Sequence, residues 1–158
     1  MNVKNAIDRV SLPAPAKINL FLAITGKRTD GYHEINSVLS TIQLSDQITL
    51  LKTGKRDDIS CICEEDNTLS GPDNLVCRAI DEWRKFTGDR TGVKVIITKR
   101  IPKMAGLGGG SSDAVATLLA LNIINGKPLE QSALLALAEK LGSDCPFFLL
   151  NGLGHAQG

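Results

Sequence analysis

Four glycines at positions 106 and 108–110 separate an apolar strand-like run, 93–97, from a leucine-rich helix-like run, 115–121. A chain that curls at successive glycines and then starts a helix exposes backbone N–H groups that have no intrahelical acceptor. Each hydrogen bond from such a group to a charged partner contributes roughly 1.5–3 kcal/mol of binding free energy. Several of them together contribute more than the helix dipole, which adds about 0.3–1 kcal/mol. The segment 102–114, PKMAGLGGGSSDA, therefore predicts a binding site for phosphate or another anion.

Two familiar phosphate-binding motifs do not fit this segment. A P-loop needs Gly-x-x-x-x-Gly-Lys-Ser/Thr, but the sixth position counted from Gly106 is Ser111, and no lysine follows it. A dinucleotide-binding motif needs a third glycine where Ser111 stands, and no acidic strand end follows at a suitable distance. A flexible Gly/Ser linker would explain the composition but not the helix that begins at once.

The order of apolar patterns predicts an α+β fold with a mixed sheet packed on helices. Strands are expected at 17–24, 35–42, 47–51, 58–65, 93–100 and 146–150. Helices are expected from Pro72 to a cap at Gly88, from a cap at Ser111 or Ser112 to about Asn125, and over 128–141. Because the strands cluster at the start of the chain, a regular doubly wound fold is disfavoured.

The first predicted strand carries a polar pair. Strict alternation over 17–24 places Lys17 and Asn19 on one face together with Phe21, and Leu20 and Leu22 on the other face. A lysine and an asparagine on one strand face can contact a bound polar ligand. A solvated strand end is the alternative interpretation.

Composition limits the class of partner. Eighteen basic and seventeen acidic residues give a net charge of +1, so nothing biases the whole chain toward nucleic acid or an anionic membrane. No apolar run approaches the roughly 20 residues of a membrane span. The four cysteines lack the spacing of zinc or redox motifs, which favours free thiols in a reducing cytoplasm. We expect one cytoplasmic domain of 158 residues.

The glycine-rich segment, read as P-x-x-x-G-L-G-G-G-S-S-x-A, resembles the second motif of the GHMP kinases, which include galactokinase, homoserine kinase, mevalonate kinase and phosphomevalonate kinase. Residues 13–35 (PAPAKINLFLAITGKRTDGYHEI), 72–79 (PDNLVCRA) and 142–149 (GSDCPFFL) narrow the resemblance to members with a cytidine-diphosphate-linked polyol as substrate. The resemblance implies an ATP-dependent kinase with Mg²⁺ on the ATP phosphates and no protein-bound zinc. It also implies a fold like domain 2 of ribosomal protein S5.

The resemblance covers the N-terminal, ATP-binding domain of such kinases. Residues 1–158 are expected to be that domain, and the second domain is expected to be absent from this chain. We therefore expect weak or no turnover by this chain alone.

The resemblance implies roles for named residues. Asp144 is expected to accept the proton of the substrate hydroxyl, and Lys17 to orient that carboxylate and counter charge on the γ-phosphate. The expected substrate-binding residues are Asn19, Tyr32 and His33, with Tyr32 stacking on the cytosine and His33 hydrogen-bonding it. The expected ATP-binding residues are Asn74, Lys99, Pro102, Met104, Gly106, Leu107, Gly108, Gly109, Gly110, Ser111 and Ser112. Ser112 is the candidate hydroxyl for Mg²⁺.

Other interpretations stay open. Without the resemblance, Asp144 beside Gly, Ser and Pro is typical of a turn. Another GHMP kinase would share the glycine-rich segment but not Asp-Gly-Tyr-His. An S5-like RNA-binding module would need a basic face, which near-neutral charge and 4% aromatic residues do not favour. A catalytically silent nucleotide sensor would use the segment only to bind ATP.

Overall fold

The computed structural model describes residues 7–27, 31, 33–126, 129–150 and 152–157. Its strands are β1 (Arg9–Lys27), β2 (His33–Lys52), β3 (Ile59–Cys63), β4 (Val93–Thr98) and β5 (Leu153–Gln157). Its helices are α1 (Leu75–Thr87), α2 (Gly109–Ile124), α3 (Gln131–Leu141) and α4 (Cys145–Leu150), and a 3-10 turn spans Asn67–Leu69. None of these helices is long and apolar enough to cross a lipid bilayer.

The sheet is mixed, as the sequence predicts. Its strand order is β1-β2-β4-β3, and only β3 and β4 run parallel, joined through α1. Along the same edge of β2, β4 pairs with residues 47–52 and β5 pairs with residues 36–40. The fold is therefore α+β, with a single β-α-β crossover among the described residues.

The first two strands form one long antiparallel ribbon. β1 begins at Arg9, well before the predicted 17–24, and β2 runs without a break through the two strands predicted at 35–42 and 47–51. Residues 43–46 separate those two predicted strands. They stay in the ribbon because the pairing shifts register between Pro15 and Lys17, which accommodates the extra residues of β2.

The core lies between the sheet and the helices. β2 contributes Ile48 and Leu50, β4 contributes Val95 and Ile97, and Leu118 of α2 packs among them. Burying such a side chain stabilises the fold by about 1.5–3 kcal/mol. α2 is buried over most of its surface and contacts β1, β2, α1, α3 and α4. This places the start of α2, next to the glycines, at a rigid point of the structure.

The two ends of α1 follow the predicted signals. The Asn74 side chain accepts a hydrogen bond from Val76 N–H, and Gly88 closes the helix in the left-handed conformation at φ +71°. The prediction of a helix that ends at Gly88 is confirmed, with its start at Leu75 rather than Pro72.

The strand predicted at 146–150 is wrong: residues 145–150 form α4. Five apolar residues carry too little periodicity to separate a strand from a helix, and Pro146 fits the first helical turn, where no backbone donor is needed. The rings of Phe147 and Phe148 lie edge to face, with 5.3 Å between their centroids. The strand that follows, β5, had no clear signal in the sequence.

Candidate functional site

The glycine-rich segment connects β4 to α2 and ends as the N-terminus of that helix. Gly108 is the N-cap residue, in the left-handed conformation at φ +69°, and no side chain caps the helix. The predicted cap at Ser111 or Ser112 is wrong, because both serines lie inside the first turn. The first amides of α2 have no intrahelical acceptor, so the glycines present a row of donors at the positive end of the helix dipole.

Gly108 is required by its surroundings as well as by its conformation. A Cβ at this position would lie 2.8 Å from Phe148 Cζ and 3.0 Å from Lys17 Cγ. The neighbouring Leu107 carbonyl accepts a hydrogen bond of 2.9 Å from Lys17 N–H. The segment is therefore held against β1 on one side and α4 on the other, at a distance that only glycine allows.

Lys17 and Asp144 meet beside this segment. The Lys17 Nζ and Asp144 Oδ2 atoms are 3.9 Å apart, and their side chains are 12% and 49% exposed. Lys17 lies on β1, and Asp144 lies in the turn between α3 and α4. The structure thus brings together a partly buried cation and an accessible carboxylate that the sequence places at opposite ends of the chain.

A chain of hydrogen bonds fixes the position of the Lys17 side chain. Lys17 Nζ donates to Asn19 Oδ1 at 2.8 Å, and Asn19 Nδ2 donates to Ser37 Oγ at 2.7 Å. Ser37 is fully buried, and its hydroxyl donates to the Phe21 carbonyl at 2.7 Å. These hydrogen bonds connect the Lys17 ammonium through Asn19 to the buried hydroxyl of Ser37.

A cleft of 580 Å³ opens next to the pair. Lys17, Asn19 and Leu22 of β1 line one wall, and Asp144 and Phe147 line the other. Strict alternation on β1 would have separated Leu22 from the polar pair. The pairing of β1 with β2 shifts by one residue between Asn19 and Phe21, and this bulge turns Leu22 to the same side as Lys17. The cleft therefore combines a charged end with an apolar wall.

Two of the expected ATP-binding residues have structural partners. Asn74 caps α1 and also donates to the Leu69 carbonyl at 2.7 Å. The Lys99 ammonium contacts two buried carboxylates, those of Asp46 and Asp113, at 2.9 Å from Asp113 Oδ2. Burial opposes the charged form of Lys99. The effect of the two carboxylates is larger than that of burial, so the pKa of Lys99 is raised.

Other expected ATP-binding residues lie around the glycines. Pro102 and Met104 are exposed, and Met104 has a positive φ of 57°. Ser112 is buried, and its hydroxyl has no hydrogen-bond partner among the residues that the structure describes. Ser111 lies next to the buried thiol of Cys145.

The structure says little about the expected cytosine-reading residues. His33 is exposed at the start of β2, opposite Lys27 of β1, and does not line the cleft. Tyr32 lies outside the described residues.

Sequence reasoning missed several residues of the site. Ser37 interrupts the apolar pattern of β2, and a polar residue at a core position was an available signal. His155 lines the cleft, with Nε2 at 2.7 Å from Asn36 Oδ1, through the unpredicted pairing of β5 with β2. Asp113 stands directly before the apolar residues 114–116 of α2 and was also a signal, because a buried carboxylate needs a partner.

Comparisons with known proteins identify the family of this chain. The family described as "GHMP kinases N terminal domain" matches residues 74–152. A 4-diphosphocytidyl-2-C-methyl-D-erythritol kinase of Desulfitobacterium hafniense (strain Y51) is 44% identical over 153 residues, which are 96% of this chain and 50% of that protein. The chain thus spans about half the length of the curated relatives it matches.

Solved structures have the same fold. A 4-(cytidine 5'-diphospho)-2C-methyl-D-erythritol kinase superposes with a TM-score of 0.81 at 37% identity, over 94% of this chain and 52% of that one. A homoserine kinase from Cytophaga hutchinsonii superposes with a TM-score of 0.67 at 22% identity, over 89% and 43% of the two chains. At that lower identity the likeness concerns the fold alone.

Proposed function

Because the chain belongs to the GHMP kinase family, we propose that it supplies the ATP-binding part of a kinase for the 2-hydroxyl of 4-diphosphocytidyl-2-C-methyl-D-erythritol. This reaction is a step of the non-mevalonate isoprenoid pathway. The observation that carries the proposal is the juxtaposition of the glycine-rich helix start with the Lys17–Asp144 pair and its cleft. The names of the relatives at 37–45% identity support the choice of substrate.

The proposed chemistry needs positioning, charge neutralisation and one proton acceptor. The amides at the start of α2 bind the ATP phosphates, and Asp144 accepts the proton of the attacking hydroxyl. That oxygen forms the new bond to the γ-phosphorus as the bond to the β-phosphate oxygen breaks, which yields ADP and the 2-phosphorylated product. Lys17 holds the carboxylate in place and neutralises charge on the transferred group.

Mg²⁺ fits this site as an ion carried by ATP. Within the described ranges no group of three or more His, Cys, Asp or Glu side chains is placed to hold a metal, and Mg²⁺ commonly keeps phosphate and water ligands. The Ser112 hydroxyl, in the first turn of α2, is buried and has no hydrogen-bond partner among the described residues. When bound, Mg²⁺ would neutralise charge on the β- and γ-phosphate oxygens.

The cleft suits the proposed acceptor. Its charged end lies at Lys17 and Asp144, where the reacting hydroxyl must sit, and Leu22 and Phe147 offer apolar contacts further along. Tyr32 and His33 are proposed to read the cytosine. A cytoplasmic location is part of the proposal, and it is supported by four cysteines that are all free thiols.

Turnover by the full-length protein tests the proposal. ADP release should depend on 4-diphosphocytidyl-2-C-methyl-D-erythritol, and homoserine, mevalonate and phosphomevalonate should give none. Turnover with one of those three acceptors, and none with the cytidylylated erythritol, would assign a different GHMP kinase. ATP binding without turnover on any acceptor would favour the nucleotide sensor.

A further inference from the structure

Two buried carboxylates share one ammonium group behind the glycine-rich segment. Asp46 of β2 is 1% exposed, and its Oδ1 accepts hydrogen bonds from the backbone N–H groups of Arg100 at 2.5 Å and Ile101 at 2.8 Å. Its Oδ2 accepts from Lys99, which also donates to Asp113 of α2 at 2.9 Å. The three side chains therefore connect β2, the end of β4 and the first turns of α2.

The charges of this cluster do not balance. When both carboxylates are ionised, two negative charges face one positive charge in a buried place. Asp113 Oδ1 has no hydrogen-bond partner among the described residues, which leaves the charged form poorly compensated. Burial raises the pKa of Asp113 to about 7, although the Lys99 ammonium acts in the opposite direction.

The cluster lies next to the proposed phosphate site. Asp113 is the fifth residue of α2, so it lies about 6 Å along the helix axis from Gly109, the first. A Cβ on Gly109 would come within 3.4 Å of Lys99 Nζ and 3.1 Å of Ile101 Cγ2, so the ammonium packs against the start of the helix. A negative charge on Asp113 thus opposes an anion bound at that helix end.

We propose that Asp46, Lys99 and Asp113 are positioning residues for the nucleotide phosphates. Asp46 holds the turn at residues 100 and 101, from which the glycine-rich segment starts. The charge on Asp113 sets how tightly that segment binds an anion. The proposal rests on the proposed function, since the anion it concerns is ATP.

Few other titratable groups act on Asp113. Lys99 follows β4, Asp46 lies on β2, and the Cys61 thiol faces Asp113 from β3. A hydrogen bond with Cys77 of α1, together with burial, raises the pKa of the Cys61 thiol, which stays neutral near pH 7. Asp113 is therefore the group of this cluster whose charge changes around neutral pH.

ATP binding over a pH series tests the proposal. Asp113→Asn removes the charge and keeps an oxygen for the Lys99 hydrogen bond, and Glu139→Gln, on the exposed side of α3, is the matched control. Dissociation constants for ATP are measured by calorimetry on the full-length protein, without acceptor, from about pH 6 to about pH 8.5. At a given pH, ATP has the same ionisation state for every variant. The ratio of the dissociation constants of two variants therefore reports only on the ionisation of the protein.

The variant and wild type should bind ATP alike near pH 6, where Asp113 is protonated. Above pH 7, wild type should bind ATP about threefold to thirtyfold more weakly than Asp113→Asn. This factor corresponds to the Coulomb repulsion between one carboxylate charge and an anion about 6 Å away. Glu139→Gln should follow wild type at every pH. Asp46→Asn weakens the hydrogen bonds that hold the backbone at residues 100 and 101, so it should speed hydrogen exchange at Arg100 and Ile101 at every pH.

A measurement without nucleotide checks the same charge. An acid whose pKa rises from 3.8 to about 7 on folding contributes stability that is lost as pH rises through that window. The Tm of wild type minus that of Asp113→Asn should therefore fall between about pH 4 and pH 7.

If ATP binds no variant, the proposed function fails, and inorganic triphosphate becomes the probe for the same pH series. The proposal is overturned by a ratio of dissociation constants that does not change with pH, by a Tm difference that does not change with pH, or by failure of both anions to bind.

Discussion

The Lys17 ammonium lies 3.9 Å from a carboxylate oxygen of Asp144, and both side chains line one cleft. The backbone of Lys17 also binds the carbonyl of Leu107, at the edge of the glycine-rich segment. One residue of β1 therefore anchors both the proposed phosphate site and the proposed acceptor site. The distance between the two sites is set by a strand rather than by a loop.

Asp144→Asn should abolish most of the turnover and spare ATP binding. An amide cannot accept the hydroxyl proton, so kcat of the full-length protein should fall by about 10²–10⁴-fold. The dissociation constant for ATP should stay within about twofold, because the helix amides that bind the phosphates are unchanged. Glu139→Gln serves as the control, and a kcat within a few-fold of wild type for Asp144→Asn would remove Asp144 from the chemistry.

Lys17 and Asp144 should act as a unit. We expect Lys17→Met and Asp144→Asn each to lower kcat strongly, and the double variant to be little worse than the more damaging single one. The measurement is a double-mutant cycle on kcat at saturating ATP. Effects that multiply would mean that the two side chains work independently.

Ser37→Ala should destabilise the fold. It removes the two hydrogen bonds of the buried Ser37 hydroxyl, with the Asn19 amide and the Phe21 carbonyl, and each contributes about 0.5–1.5 kcal/mol to the free energy of unfolding. Urea unfolding measures this loss. Ser40→Ala is the matched control on the same strand, since the Ser40 hydroxyl only donates to the next residue's carbonyl, and its effect should stay within about 0.5 kcal/mol. Equal effects of the two changes would contradict the hydrogen-bonded chain.

Gly108→Ala and Gly110→Ala should behave in opposite ways. Alanine at 108 meets Phe148 and Lys17 and is strained at φ +69°, so we expect a loss of about 1–3 kcal/mol and at least about tenfold weaker ATP binding. Alanine at 110 meets nothing within 4 Å and lies in the helix, where it should be neutral or stabilise by up to about 1 kcal/mol. Thermal unfolding and ATP calorimetry of both variants provide the check, and equal tolerance at both positions would contradict a tightly packed Gly108.

Local signals were enough to predict some elements. The cap at Asn74 and the stop at Gly88 act within one turn of α1, so their effect is readable from neighbouring residues. The glycine-rich segment likewise predicted the start of α2, although the N-cap residue is Gly108 rather than a serine. The mixed sheet followed from the clustering of strands at the start of the chain.

The features that escaped prediction depend on pairing across the chain. The bulge that turns Leu22 into the cleft exists only in the register between β1 and β2. β5 is a strand because it lies against β2, and its own five residues, LGHAQ, carry no strand pattern. The contact between Lys17 and Asp144 could be expected only from the family resemblance, since no spacing rule connects a strand to a turn so distant in sequence.

The bulge after Asn19 also divides the ribbon into two parts with different tolerance to change in length. One residue added between Lys17 and the bulge would swing the ammonium to the opposite surface of the sheet and away from Asp144. One residue added beyond Gly26 would alter only the far end of the ribbon and leave the lysine where it is. The far end of the ribbon can therefore vary in length while the spacing between the Lys17 ammonium and the Asp144 carboxylate is preserved.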